Sequence, residues 1–317
     1  MGTVILQLGR KISLIIFIWF FLNLFLFNNE ISTIAGNLFQ TPADKNKEMK
    51  ELGIFLGNDV KIDNEELRNI DFRKLKNKVN EFLGEKDFKI TLTNIEMEGN
   101  QRNIEVKVKL SDGTRYITLV PELNYEVVRF TDENAISSNL SLPVIAHEIA
   151  KETAFNFVIK HFKPFNSYNM ILDEDKYFNR GSLREYRFVW NAVDDEIKLP
   201  IFVAAAVDAI SGKIISYTCG YTGEKFKKLT PRISTKEALE ILEKKYPGNE
   251  IKDYNITLMI GINHKSKVQE NILKYSIEYK FNVPQDKCFD EKGKWIHHGG
   301  RIEINAESGE IITEGIY

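Results

Sequence analysis

Two stretches of the chain are nearly copies of each other: Val203-Ala-Ala-Ala-Val-Asp-Ala-Ile-Ser-Gly-Lys-Ile-Ile-Ser-Tyr217 and Gly300-Arg-Ile-Glu-Ile-Asn-Ala-Glu-Ser-Gly-Glu-Ile-Ile-Thr313. In each stretch an extended run leads to Asp208 or Asn305, then to Ser-Gly, and then to a β-branched run. This pattern predicts a β-hairpin in which the Gly takes a positive φ. An internal repeat of this kind constrains the architecture more than any single residue does.

A helix with a recognisable start is predicted before each hairpin. Before the second hairpin, Ser234 can cap the helix and Glu237 can complete a capping box. Before the first hairpin, Ser141 takes the cap position. A third start is predicted upstream at Asp63, although Asp71 fits the same pattern nearly as well.

Strand-like runs follow each predicted helix, and in the last third of the chain they cover residues 254–262, 272–283, 301–305 and 310–316. The helix before the first hairpin is expected to turn an apolar stripe toward such strands. This stripe consists of Ile145, Ile149, Ala154, Phe157, Val158 and Phe162. The predicted fold class is therefore α+β, with tandem units that each pack one helix on a small antiparallel sheet.

The predicted organisation has five segments. Residues 1–36 form a signal peptide or signal-anchor helix, and residues 37–60 form a polar linker. Three helix-and-sheet units follow, at residues 61–133 (degenerate), 139–225 and 231–317. Because units of this size are small for independent stability, neighbouring units are expected to bury surface against each other.

The N-terminal segment has the pattern of an export signal. Arg10 and Lys11 precede residues 12–27, a run of Ile, Leu, Phe and Trp interrupted only by Ser13 and Asn23. The positive charges are expected to stay in the cytoplasm while the rest of the chain crosses the membrane. The length of the run does not distinguish a cleaved signal from an anchor, and a small-residue site near Ala35 lies far from its end.

Composition narrows the classes of partner. The 317 residues include 43 Lys and Arg against 45 Asp and Glu, so no excess of positive charge indicates a nucleic-acid partner. Only two cysteines are present, Cys219 and Cys288. Outside the cytoplasm they could form one disulfide between the second and third units or remain unpaired, and the sequence leaves both open.

The helix start Ile-Ser-x-x-Glu-Ala at residues 233–238, the strand runs at 186–190 and 275–279, and the Val-Asp-x-x-Ser-Gly-x-Ile hairpin together resemble the PepSY-like family. The second unit is especially similar to the YcdB/YcdC repeats of exported bacterial proteins. This resemblance implies a helix packed on an antiparallel sheet and an extracytoplasmic location. It also implies binding or restraint of peptidases and cell-wall hydrolases, and it provides no catalytic residues.

Two histidine patterns are candidate metal sites. His147-Glu148 would need a second His four residues after His147, where the chain has Lys151, and His161 lies too far along the same helix to share an ion. In the third unit, Cys288, His264, His297 and His298 form a possible cluster, although adjacent His297 and His298 would point to opposite faces of a strand. A polar hairpin tip is the favoured interpretation, and neither a metal nor any other cofactor is predicted.

The remaining polar patterns do not indicate catalysis. The acidic runs at residues 173–175 and 194–196 lack the ligand spacing and central Gly of a calcium loop, so solvated turns are expected. The strands at 187–190 and 275–281 carry aromatics on both alternations. These rings either face outward as contact residues or fill the seams between units.

The sequence favours a non-enzymatic extracytoplasmic protein with no catalytic, cofactor or metal residues. Its expected partners are an extracytoplasmic peptidase or cell-wall hydrolase and, through the N-terminal segment, the membrane. One alternative is a cell-envelope hydrolase, for which Glu148, His297 and His298 would be the residues to test. The other is a structural envelope module without a discrete ligand. The identity of the partner and the oligomeric state are not determined by the sequence.

Overall fold

A computed structural model of the chain describes residues 42–57, 67, 69–98, 101–137, 142, 144–181, 183–221, 226, 229–262, 271–283 and 297–316. The predicted signal or anchor, the predicted cap residues Asp63 and Ser141, and the side chains of His264 and Cys288 lie outside these residues. The predicted signal or anchor, the helix start at Asp63, and the disulfide and metal alternatives that involve Cys288 or His264 are therefore not tested.

The described helices are α1 (Pro42–Glu51), α2 (Phe72–Leu83), α3 (His147–His161) and α4 (Thr235–Lys245). The strands are β1 (Ile54–Leu56), β2 (Lys89–Glu98), β3 (Gln101–Leu110), β4 (Gly113–Val120), β5 (Glu126–Asp132), β6 (Asn169–Arg180), β7 (Leu183–Asp194), β8 (Ile197–Asp208), β9 (Ile214–Gly220), β10 (Ile251–Ile262), β11 (Asn271–Phe281), β12 (Gly299–Asn305) and β13 (Ile311–Ile316). Two 3₁₀ turns, Pro121–Leu123 and Lys163–Ser167, complete the description.

The predicted fold class is wrong in its architecture. Instead of small separate sheets that each carry one helix, the thirteen strands of the described residues belong to one large mixed sheet. The chain divides into two compact units, the first with residues 1–111 and 117–126 and the second with residues 112–116 and 127–317. The tandem prediction did not include two strand pairings that occur in the second unit. Strand β8 pairs with β10 in parallel, and β5 pairs with β9.

The first unit is organised around α2. Asp71 caps this helix by accepting a hydrogen bond from the Lys74 backbone N–H at 2.9 Å. Gly84 ends it with a left-handed φ of 72°. The helix buries Phe72, Leu75, Val79 and Phe82. In this unit β1 pairs in parallel with β2, and β2 pairs antiparallel with β3. Of the two starts considered for the first helix, Asp71 is the N-cap of α2.

In the second unit the strands follow the order β5-β9-β8-β10-β11-β12-β13, and β7 and β6 extend from β8. The strands of the last third of the chain lie close to the predicted runs. Helices α3 and α4 each precede four strands, and α3 contacts β7, β8 and β9. The core under the helices consists of Phe188, Trp190, Val203, Ala205, Tyr217, Leu242, Tyr275, Ile277, Tyr279 and Ile302, all less than 5% exposed.

The two hairpins of the repeated sequence have matching hydrogen bonds. Gly212 and Gly309 have φ of 71° and 75°, as predicted. The Asp208 carboxylate accepts from the Ser211 backbone N–H at 2.6 Å, and the Asn305 amide oxygen accepts from the equivalent Ser308 N–H at 3.1 Å. The backbone N–H of each glycine donates to the carbonyl of Asp208 or Asn305 at 2.9 Å. These side chains shape the turns, as the sequence indicated.

The two helices that precede the hairpins begin differently. The capping box predicted at Ser234 and Glu237 is present at the start of α4. The start predicted at Ser141 is wrong, because α3 begins at His147 with Ala146 as an N-cap that lacks a side-chain hydrogen bond. Residues 144–146 are not helical, since the Ile145 backbone N–H donates to the Ala209 carbonyl at 2.7 Å and Ala146 is extended.

One ion pair is buried between strands on the sheet face opposite α4. Lys274 is 8% exposed, and its ammonium donates to Glu303 at 2.6 Å. Arg301 donates to the other oxygen of the same carboxylate at 3.2 Å. The lysine stem lies over Gly261, where a Cβ atom would collide with it. The pair is therefore accommodated because residue 261 has no side chain.

Candidate binding surface on the third helix

Helix α3 packs one side on the sheet. Ala150, Ala154 and Val158 have no exposed area and line the side toward the sheet. Aromatic contacts hold the edges of the helix, with ring centroids 5.7 Å apart for Phe157 and Tyr217 and 6.2 Å apart for Phe155 and Trp190. Small residues at the centre let the helix approach the strands closely, and the aromatic residues fix its position.

The solvent side of α3 carries three large apolar side chains among the exposed polar residues Glu148, Glu152, Asn156 and Lys160. Ile149 is 56% exposed, Phe155 40% and Ile159 37%. A surface helix normally carries charged and polar residues on the side away from the core, so three large apolar side chains there depart from the usual pattern. The prediction that Ile149 belongs to the buried stripe is wrong. We name the exposed residues Ile149, Phe155 and Ile159 the outer row of α3, in which Phe155 lies at the edge that also contacts Trp190.

A charged cluster joins the start of α3 to β6. The His147 Nε2 lies 2.5 Å from an Asp175 carboxylate oxygen, and the Lys151 ammonium donates to the other oxygen at 3.3 Å. The His147 Nδ1 lies 3.1 Å from a Glu148 oxygen. The imidazole also contacts the rings of Tyr186 and Phe188, at centroid distances of 5.5 and 5.7 Å. Because α3 lacks a side-chain cap, this cluster supports its first turn.

The cluster changes the protonation of its members. The hydrogen bond with Asp175, followed by the one with Glu148, raises the pKa of His147 above its ordinary value. Burial acts to raise the pKa of Asp175, but hydrogen bonds from His147 and Lys151 outweigh it, so the pKa is lowered. Both shifts favour the charged pair, in which the imidazolium donates from both ring nitrogens.

These contacts account for the histidines of α3. The Glu148 side chain is 84% exposed, and its carboxylate forms a hydrogen bond with the His147 imidazole. His161, at the end of the helix, stacks against Phe157 with a centroid distance of 4.3 Å. Lys151 occupies the position that a second zinc ligand would need and neutralises Asp175 instead. No group of three or more metal-ligating side chains occurs among the residues that the structure describes.

The two histidines predicted near the last hairpins lie just before β12. His297 is exposed and His298 is partly buried, and the His298 carbonyl accepts a hydrogen bond from the Phe281 backbone N–H at 2.9 Å. The hydrogen bond from the Tyr246 hydroxyl lowers the pKa of Glu314. Burial, followed by this same hydrogen bond, raises the pKa of Tyr246. This tyrosine therefore remains a donor that ties the end of α4 to β13.

The acidic runs are not both turns. Residues 173–175 lie within β6, where Asp173 binds Lys198 at 2.7 Å and Glu174 lies 3.5 Å from Lys176. The run at 194–196 does include a turn, since Asp195 and Glu196 have φ of 45° and 70°. The turn prediction for the first run is wrong, because local charge density is a weak signal against the pairing of β6 with β7.

The aromatic rings of the central strands fill the interior. Tyr186, Phe188 and Trp190 on β7, and Tyr275, Tyr279 and Phe281 on β11, are at most 8% exposed. The outward-facing alternative is therefore wrong, and rings such as Trp190 and Tyr279 pack against residues that belong to the helix preceding their strands or directly follow it, Phe155 and Tyr246. Exposed apolar side chains occur on α3, and their signal in the sequence is the presence of apolar residues on both sides of one helix.

The second unit thus presents a helix with an apolar outer row on a mixed sheet. In three dimensions the chain is similar to the Bacillus megaterium YpeB C-terminal domain, with a TM-score of 0.44 and 16% sequence identity, covering 78% of this chain and 97% of that chain. No protein-family model and no curated protein matches the sequence. The resemblance to the PepSY-like and YcdB/YcdC families therefore stays a prediction. Among the described residues, no helix is long and apolar enough to cross a membrane.

Proposed function

We propose that the chain is a non-enzymatic extracytoplasmic protein that binds and regulates another protein through the outer row of α3. The observation that supports this proposal is the exposure of Ile149, Phe155 and Ile159 on one helix. Exposed apolar side chains that follow one helix are a frequent feature of protein-binding surfaces. The class of partner that the sequence pattern favours is an envelope peptidase or cell-wall hydrolase.

The contrast with α4 supports the choice of surface. Helix α4 also lies on the sheet before a repeated hairpin, but its exposed positions carry charges. Lys236 is 86% exposed and Glu240 45%, and they form an i,i+4 ion pair with a distance of 3.9 Å. Such pairs are typical of a solvated helix face. The apolar row of α3 is therefore not a general property of helices at this position in the fold.

Site-specific cross-linking in intact cells tests this proposal. A photoreactive benzoylphenylalanine is placed at Phe155 or at Ile159, and matched controls carry it at Lys236 or Glu240. We expect one envelope protein to be cross-linked from both α3 positions and from neither α4 position. The substitution Ile149→Lys should weaken the cross-link from Phe155, because a charge in the outer row must be desolvated on binding.

Two results would contradict the proposal. Equal labelling from α3 and α4 would remove the outer row as a binding surface and favour a structural envelope module. Hydrolysis of peptidoglycan or peptides by the purified full chain would favour an envelope hydrolase, if it is lost when Glu148→Gln, His297→Ala and His298→Ala are combined. Persistence of that hydrolysis in the triple variant would exclude these three side chains from it.

A further inference from the structure

Strand β6 has an open edge. It is twelve residues long, and among the described residues it pairs only with β7. Its outer side thus presents a row of unpaired backbone N–H and C=O groups, which is a template for another strand. The second half of β6, residues 174–180, is largely exposed, and Tyr177 has 44% of its surface accessible.

A bulge sets which side chains share a face of this edge. The pairing with β7 shifts register between Leu172 and Glu174. After the bulge Asp175 lies opposite Phe188 and Tyr177 lies opposite Tyr186. Directly paired residues of an antiparallel ladder point to the same face. Residues 175, 177 and 179 therefore share the face that carries α3, and residues 174, 176, 178 and 180 share the other.

We propose that residues 174–180 pair antiparallel with the same residues of a second copy of this chain, about a two-fold axis at Tyr177. This register places Glu174 opposite Arg180 of the second copy, twice in the dimer. It also places Lys176 opposite Phe178 and Asp175 opposite Asn179. Each pair has both members on one face, as the bulge requires.

Other registers about a two-fold axis are disfavoured by charge. An axis at residue 174, 175 or 176 brings two identical charges directly opposite each other, which destabilises a strand pair. An axis at Phe178 places Lys176 opposite Arg180, again with like charges. An axis at Asn179 leaves fewer residues of β6 to pair. Among the axes within residues 174–180, the register at Tyr177 combines opposite charges with the longest pairing of this segment.

The present surroundings of the charged residues are compatible with this register. Arg180 has no carboxylate partner among the described residues and lies over the Phe178 ring, with its guanidinium carbon 5.0 Å from the ring centroid. The Glu174 side chain is 25% exposed, and its carboxylate lies 3.5 Å from the Lys176 ammonium. An arginine facing this carboxylate across the edge gains a charge-assisted hydrogen bond. The self-complementary pattern favours a second copy over an unrelated extended peptide, because a two-fold interface uses one surface twice.

Charge exchange tests the pairing on the full chain in detergent micelles, with molar mass measured by sedimentation velocity over a range of concentrations. We expect a dimer for the unchanged chain. Glu174→Arg alone and Arg180→Glu alone should each weaken dimerisation by roughly tenfold or more, since each creates two like-charge contacts. The double variant should dimerise like the unchanged chain. Lys236→Glu on α4 is the matched control and should have no effect.

Mixing the two single variants gives the sharpest outcome. In the homodimer of either single variant, like charges face each other at positions 174 and 180. In a dimer with one copy of each variant, every arginine at these positions faces a glutamate. We expect a dimer with one copy of each variant to form on mixing. Circular dichroism checks that both variants are folded. If either is not, Tyr177→Glu, which places two carboxylates at the axis, replaces it, with Tyr177→Phe as its control.

Three results would overturn the proposal. One is a monomer at all concentrations for the unchanged chain. Another is a dimer that survives both single substitutions, which would locate the contact elsewhere, for example on α3. The last is a photoreactive group at Tyr177 that cross-links a different protein and not a second copy. The α3 cross-linking experiment has its own positions and readout, so the two proposals can fail independently.

Discussion

Helix α3 with strands β6–β9 and helix α4 with strands β10–β13 share a set of local contacts but differ in what they present to solvent. In both, a tyrosine hydroxyl donates to a backbone carbonyl before the helix, Tyr186 to Ile145 at 3.1 Å and Tyr275 to Ile233 at 2.9 Å. The solvent side of α3 carries three large apolar side chains among its polar residues, whereas that of α4 is mainly charged. The shared contacts maintain the fold, and the difference on the helices identifies the surface that is available for function.

The largest expected effect is on the free energy of unfolding, and it should distinguish the two hairpins. Asp208 is 1% exposed and accepts from the backbone N–H groups of Ser211, Ile210 and Ser137, at 2.6, 3.3 and 3.4 Å. Asp208→Ala should lower the free energy of unfolding by about 3 kcal/mol, because these buried donors lose a charged acceptor. Denaturant unfolding measures this change. Asp208→Asn is expected to show only part of the loss in the free energy of unfolding.

Asn305 is the counterpart in the second hairpin and is partly solvent-accessible. Asn305→Ala should cost about 1 kcal/mol, since water can replace the lost acceptor. Equal costs at Asp208 and Asn305 would contradict the conclusion that burial distinguishes the two hairpins.

A smaller effect is expected at the helix starts. Removing the capping box of α4 with Ser234→Ala should cost about 1 kcal/mol. Ala146→Ser at the start of α3 should stabilise by a few tenths to about 1 kcal/mol, because it supplies the missing acceptor to the first turn. Thermal unfolding of both variants measures the difference. A gain at Ala146 that depends on Asp175 would show that the charged cluster already substitutes for the cap.

The two tyrosine contacts should have nearly equal energies. Tyr186→Phe and Tyr275→Phe each remove one hydroxyl hydrogen bond and leave the ring in place, so each should cost about 0.5–1.5 kcal/mol. A difference larger than about 1 kcal/mol, measured by denaturant unfolding, would indicate that the local environments of the two hydrogen bonds differ despite their matching geometry.

The smallest effect concerns pH at the start of α3. The pKa of His147 is raised in the folded protein, so the contribution of its charged form is fully present below pH 6.5 and is lost as the pH rises through the folded pKa. NMR titration of the imidazole should show a lower pKa in Asp175→Asn than in the unchanged chain. Unaltered titration in that variant would contradict the contact with Asp175. Helix α4 has no histidine and serves as the comparison.

The sequence predicted the features that are set by neighbouring residues. The turns at Gly212 and Gly309 require a positive φ, and the Ser234 capping box involves residues three apart, so both were found correctly. The parallel contact between Met259 of β10 and Lys198 of β8 was not predicted, because it joins residues far apart in the chain. The resulting single sheet replaced the expected tandem units.

The error in α3 has a related cause. Ser141 has a suitable side chain for a cap, but the backbone hydrogen bond from Ile145 to Ala209 commits residue 145 to a contact outside the helix. The helix therefore begins later than the local pattern indicates. The outer position of Ile149 also depends on the orientation in which α3 packs on the sheet, which amphipathic spacing could not determine for a helix with apolar residues on both sides.

The contact between Gly261 and Lys274 imposes an order on sequence change in this protein. A side chain at position 261 would push the ammonium of Lys274 away from Glu303, leaving a buried charge without its partner, which is strongly destabilising. If Lys274 is first replaced by a small residue, Glu303 keeps Arg301, and position 261 becomes free to accept a side chain. The two positions are therefore epistatic, and a substitution that is harmful alone becomes tolerable after the other.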